Sequence, residues 1–170
     1  MRLNQQDNEG KTPLHESISG KHLLVTMALL EAGADPNVQT SRGQSPLHLA
    51  VRNGDVEAAK ILISAGGFTS GKGLLHVAVI NGDVVMARIL IEAGEDILAA
   101  DNVGNTHLHV AVMKKHWGVA VFLLGVGADF NRKNKYGRTP KDIARHLKPT
   151  NAYDPNWPAM LALMQRSKGQ

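Results

Sequence analysis

Three groups of residues in this 170-residue chain have the type and spacing of chemical apparatus. Gly66-Gly67-Phe68-Thr69-Ser70-Gly71-Lys72-Gly73 runs close to G-x-x-x-x-G-K-[ST], in which backbone N–H groups cradle phosphates, the lysine reaches the outer phosphates and the last hydroxyl holds Mg²⁺. Gly73 stands where that hydroxyl belongs, and the run follows a helical pattern instead of a strand, so it reads as a short connection that uses glycine to turn. His107-x-His109 offers two imidazoles, but residues two apart on a helix point to different sides. With no cysteine and no third ligand at a matching spacing, a metal site is not expected. The third group is basic: Arg132, Lys133, Lys135 and Arg138 surround Tyr136 and have the charge to meet phosphates or an acidic protein, or to stay in water.

Catalysis needs a nucleophile, a base and an orienting group that converge in a pocket. The serines and carboxylates here sit at helix starts and in turns, so no catalytic residue, no enzymatic activity and no cofactor are expected. The histidines point the same way. His15, His48, His76 and His109 each follow a leucine in a recurring six-residue segment, and a residue that returns at a fixed interval serves the scaffold.

That segment organises the chain. Ser45-Pro46-Leu47-His48-Leu49-Ala50 is preceded by Thr12-Pro13-Leu14-His15 and followed by Gly73-Leu74-Leu75-His76-Val77-Ala78, Thr106-His107-Leu108-His109-Val110-Ala111 and Thr139-Pro140-Lys141-Asp142-Ile143-Ala144. The intervals are 33, 28, 33 and 33 residues. Thr or Ser at the first position can cap a helix, and proline at the next costs nothing because the first-turn N–H groups have no partner in the helix. Leucine points inward, and alanine lets two helices approach. Apolar stripes such as Val56, Ala59, Ile61 and Leu62 mark a second helix in each unit, ending at glycine. Helices of about ten residues are marginal alone, so stacking must hold them.

A period near 33 carrying this hexad resembles the ankyrin repeat, whose signature is T-P-L-H-x-A. The resemblance runs from about Leu3 to Met164 and implies an all-α fold: one domain over residues 1–170, an α-solenoid of five stacked helix pairs with β-turn fingers. The repeats fall at about 3–35, 36–68, 69–96, 97–129 and 130–168, the third finger being five residues short between Gly66 and Gly71. The first repeat is expected to be a polar N-terminal cap, with Glu16, Ser17 and Ser19. A closing helix from about Trp157 to Arg166 should offer Met160, Leu161, Leu163 and Met164 to the stack after the interruptions at Pro149, Pro155 and Pro158. In the fifth unit Lys141 and Asp142 replace Leu and His, which suits a helix with one face in water.

The resemblance also implies a function, a protein-interaction module that grips a partner protein with its finger tips and first helices. Carried onto this chain, those places are Arg42, Phe68, Asn102, Val103 and Tyr136 at or near the tips, and Arg52, Ile80, Met113 and Lys114 on the inner helices. Arg132, Lys133 and Lys135 of the basic finger belong with them. Phe68, Met113, Arg132 and Tyr136 are the expected anchors, since aromatics and arginine dominate binding hot spots. Trp117, at a helix start, is a weaker candidate. The other reading is a binder of nucleic acid or anionic lipid through the basic end.

Composition bounds the rest. Aromatics are only 4%, in keeping with thin helical layers built from aliphatics and alanine. Without cysteine there are neither disulfides nor thiolate metal sites. No apolar run approaches the roughly 18 residues that span a bilayer and no secretory pattern opens the chain, so an intracellular protein, cytoplasmic or nuclear and monomeric when free, is expected. The net charge of +4 hides an asymmetry: 10 basic against 13 acidic residues up to Asp129, then 9 against 2.

Overall fold

The computed structural model describes residues 2–68, 73–147 and 154–166. They form ten helices: α1 Pro13–Ser19, α2 Leu23–Glu31, α3 Pro46–Arg52, α4 Val56–Ser64, α5 Leu74–Asn81, α6 Val84–Glu92, α7 His107–Met113, α8 Trp117–Gly125, α9 Pro140–His146 and α10 Trp157–Arg166. Among these residues, extended pairing is limited to one antiparallel bridge between Ala100 and Thr106. The odd-numbered helices pack in one row, α1 on α3, α3 on α5, α5 on α7 and α7 on α9. The even ones form a second row, α2 to α8, with α10 packed on α8 at its end.

The hexads make the inner row. Thr12, Ser45, Thr106 and Thr139 hold extended backbone just before α1, α3, α7 and α9, three of which begin with proline. The hydroxyls of Ser45, Thr106 and Thr139 accept N–H bonds from the third helical residue, at 3.4, 3.4 and 3.0 Å. In return the side chain of that residue accepts the N–H of the capping residue, closing a reciprocal pair at each of four helix starts. The fourth pair uses Asp142, whose Oδ2 accepts from Thr139 N–H at 3.1 Å and from its hydroxyl at 2.7 Å. These bonds hold the Asp142 carboxyl below its usual range, the hydroxyl bond being the first cause. In the outer row the Asp55 and Asp83 carboxylates cap α4 and α6, accepting from Ala58 and Met86 N–H at 3.0 and 2.9 Å.

Between the rows lies one continuous core. Leu14, Leu47, Leu75 and Leu108 of the hexads are fully buried, as are Ala50, Ala78 and Ala111 of the inner helices and Leu62, Leu90 and Leu123 of the outer ones. At the C-terminal end Trp157 meets the buried Trp117 edge to face, ring centroids 4.7 Å apart. Trp117 is therefore a packing residue. Met160 is fully buried and Leu163 partly so, and through them α10 closes the stack on α8, whereas Leu161, expected to face the stack, is exposed; the Met164 side chain and Pro149 lie outside the described residues.

Two positions depart from expectation. Lys141 is buried, not solvated, because it occupies the inward leucine place of its hexad. At the N-terminus only α1 has polar capping character. Its Ser17 is buried, the hydroxyl donating to Leu14 C=O and sharing a 2.9 Å bond with the Thr26 hydroxyl, while α2 is apolar almost throughout.

The third hexad, which lacks both hydroxyl and proline, is capped from a distance. Gly73 precedes α5 with φ of 67°, and the N–H of Leu75 donates to Oε2 of Glu95 at 3.3 Å, across 20 residues. The other oxygen of Glu95 is buried with no hydrogen-bond partner among the described residues. Burial raises the Glu95 carboxyl above its ordinary range, the Leu75 N–H opposing this and Asp96 adding to it. A raised folded-state value makes the ionised form costly above it, and the cost disappears as pH falls toward the unfolded value. Glu95→Gln keeps an acceptor for Leu75 and removes the buried charge, so it should raise the melting temperature at pH 7 and show little advantage near pH 4. Leu108→Ala, by contrast, should cost about 2–5 kcal/mol in urea unfolding at either pH.

Candidate functional site

The fingers are built by short side chains that accept their own backbone. Asp7 Oδ1 accepts the N–H groups of Glu9 and Lys11 at 2.9 and 2.8 Å, Asp101 Oδ1 those of Val103 and Asn105 at 2.9 and 2.8 Å, and Asn134 Oδ1 those of Tyr136 and Arg138 at 3.0 Å each. Thr40 takes this place in the second finger, its hydroxyl accepting from Gln44 N–H at 3.2 Å. Arg42, Val103 and Tyr136 thus occupy matching tip positions.

Neighbouring tips are bonded to one another. Ser41 N–H donates to Glu9 C=O at 3.0 Å, Lys135 N–H to Val103 C=O at 2.9 Å, and the Asn134 side-chain amide to Asn105 Oδ1 at 2.8 Å. Glycine permits the approach: Gly10 has φ of 77°, and a Cβ there would stand 2.6 Å from Ser41 N. Asn102, Val103, Lys135 and Tyr136 therefore belong to one ridge. Tyr136 is 72% exposed at its crest, and Arg132, Lys133 and Lys135 are exposed beside it, in no ion pair among the described residues.

The inner row supplies a second line. Arg52, Ile80 and Met113 hold the same register near the ends of α3, α5 and α7, all exposed, with Lys114 following Met113 as the last residue of its turn. Arg52 reaches Gln44 Oε1 at 3.5 Å, and with Arg42, Asn8, Glu9 and Ser19 it lines a shallow cleft of about 290 Å³ between the first two fingers. Phe68 stands apart from the tips. It is 71% exposed near the end of α4, where its N–H donates to Asn37 Oδ1 at 2.8 Å. Of the phosphate-loop-like run, residues 69–72, Lys72 included, lie outside the described residues, and its flanks join helix α4 to helix α5 with no strand before them.

Two of the recurring histidines, His15 and His109, are joints. His15 Nδ1 accepts Thr12 N–H at 3.1 Å and His109 Nδ1 accepts Thr106 N–H at 3.1 Å, which fixes the proton on Nε2. The Nε2–H groups donate to Gln44 C=O at 3.1 Å and Arg138 C=O at 3.0 Å, in the following fingers. His107 points elsewhere, to Ile97 C=O at 3.2 Å, so the two imidazoles of His107-x-His109 serve different elements. His116 adds a joint that sequence reasoning missed, donating from Nε2 to Ile80 C=O at 2.9 Å. Its position outside the hexad gave no signal.

Burial lowers the pKa of His15, His107 and His109, with the accepting carbonyls opposing it in each case. A base depressed in the folded state contributes stability that is complete above its unfolded value and is lost as pH falls below it. Protonation would also set a second N–H against the Thr12 or Thr106 amide. The urea midpoint should therefore drop between about pH 7.5 and pH 5.5, around the free-histidine value; a flat profile over that interval would contradict the assignment of neutral, buried imidazoles.

Comparison with known proteins agrees with this architecture. The family model described as "Ankyrin repeats (3 copies)" matches residues 1–70 and 64–134. NF-kappa-B inhibitor alpha of Sus scrofa is 34% identical over 130 residues, which is 76% of this chain and 34% of that protein. Nuclear factor NF-kappa-B p105 subunit of Gallus gallus is 34% identical over 152 residues, 84% of this chain and 16% of that one. Neurogenic locus notch homolog protein 1 of Homo sapiens is 30% identical over 147 residues, 83% and 6%. The chain spans about a third or less of the length of these relatives.

Proposed function

The chain belongs to the ankyrin-repeat family, and on that premise we propose that it is a non-catalytic binding module whose protein partner is NF-kappa-B. The observation that carries this reading is the likeness, over three quarters of the chain, to a protein named as an inhibitor of NF-kappa-B. Five repeats within a single domain would present the bonded finger tips and the exposed ends of the inner helices as one surface. Such a surface is ordered before its partner arrives, so association costs little further entropy. Arg132, Tyr136 and Met113 are its anchors, Arg42, Arg52, Ile80, Asn102, Val103, Lys114, Lys133 and Lys135 its surround, and Phe68 a separate contact near the finger base. An intracellular site of action, cytoplasmic or nuclear, follows from that partner. Among the described residues no helix is long and apolar enough to cross a membrane.

The cationic cluster, free of ion pairs among the described residues, favours a second reading, in which nucleic acid or an anionic lipid headgroup occupies the basic finger. Titration calorimetry with purified NF-kappa-B separates the two. A complex is expected, weakened about tenfold or more by Tyr136→Ala or Arg132→Ala. It should be only mildly sensitive to salt, whereas phosphate binding would collapse between about 50 and 200 mM salt. Absence of a complex, or a complex indifferent to Tyr136→Ala, Arg132→Ala, Met113→Ala and Phe68→Ala alike, would refute the assignment.

A further inference from the structure

The outer helices are of two kinds. On α4 and α6 the outward arc carries charge: Glu57 pairs with Lys60 at 2.8 Å, and Arg88 and Glu92 stand on the equivalent arc of α6 beside the exposed Val85. On α8 the same arc is Gly118, Val121, Phe122 and Gly125, without charge, and α10 packs against that helix, with Asn156 lying beside Gly118. A helix that is apolar all round belongs in an interior, and α8 obtains one from α10.

In the register of that arc α2 carries Leu24, Met27, Ala28 and Glu31, apolar but for the last, with Val25 beside it, and among the described residues nothing lies over the apolar part: Leu24 is 81% exposed, Val25 51% and Met27 39%. Val25 stands in register with Ala58, Met86 and Val119, all of which are buried.

We propose that this face of α2 is a self-association surface, on which α2 of a second copy packs antiparallel. Charge selects that occupant. Lys21 flanks the apolar arc at one end and Glu31 at the other, both exposed and in no ion pair among the described residues. Antiparallel self-pairing sets each Lys21 against Glu31 of the second copy, with His22 beside the same carboxylate. The same register sets Leu24 opposite Ala28 and Val25 opposite Met27, large against smaller, twice by symmetry. A whole further repeat fits less well. It would also cover α1, where Glu16, bonded to Lys11 at 3.5 Å, stands in the register of Leu49, Val77 and Val110 and would lose its water. Pairing through α2 alone leaves Glu16 at the rim.

The surface is independent of the finger ridge and of the partner proposed for it. Sedimentation equilibrium of the full chain tests it: the average mass should climb from 18.3 kDa toward twice that value as concentration rises through the micromolar range. Leu24→Glu should hold the mass at 18.3 kDa throughout with an unchanged helical spectrum, because that side chain supports nothing within its own chain. Lys21→Glu and Glu31→Lys should each weaken association several-fold, and the two together should restore it, since the swapped charges meet again across the symmetry axis. A mass of 18.3 kDa at every concentration overturns the proposal. So does association that survives Leu24→Glu, or a double variant no better than the singles.

Discussion

Two seams of the structure depend on where one proton sits on an imidazole. Because Nδ1 of His15 and His109 is engaged as an acceptor by the start of its own helix, Nε2 has to carry the hydrogen, and that hydrogen is donated to the finger of the following unit. One side chain thereby ends the orphaning of a helix terminus and sets the spacing between neighbours. The leucines and alanines behind it contribute more free energy, but hydrophobic contact is non-directional. The directed bonds of His15 and His109 tie the starts of α1 and α7 to the fingers that follow them. This arrangement requires a neutral ring, and burial supplies that condition.

Much of the fold was legible in the sequence because its determinants are local. A hydroxyl, a proline, a leucine and a histidine within four residues specify a capped helix start whatever surrounds them, and a glycine after the second apolar stripe specifies its end. The closing helix was legible from its stripe and from the prolines before it. What escaped was non-local. Glu95 caps α5 from another finger, and no pattern near the third hexad says which residue will replace the missing hydroxyl. Lys141 reads as a surface residue until its register shows that the leucine place lies inside. The bonds between finger tips join backbone groups and leave no mark on residue identity.

The surface was less legible than the scaffold for the same reason. Tip positions follow from the turn chemistry, so Arg42, Val103 and Tyr136 could be placed in advance. Their grouping could not: Lys135 and Val103 are joined through main-chain atoms, and Phe68 lies away from the tips although it occurs in a finger segment. The apolar arc of α2 is visible in sequence as four aliphatic or sulfur-bearing side chains, but only the comparison with α8 and its covering helix distinguishes an exposed face from a core.

The acceptor in the His15 and His109 joints is a main-chain carbonyl, that of Gln44 in one place and of Arg138 in the other, 29 residues along in both. A joint that asks nothing of the accepting side chain is indifferent to which unit comes next. Tandem duplication of the coding segment would thus yield a longer array already fitted at its new seam, and loss of a unit would leave the remainder joined. Selection is then free to rewrite the exposed tips one at a time, because inheritance of the framework does not pass through them.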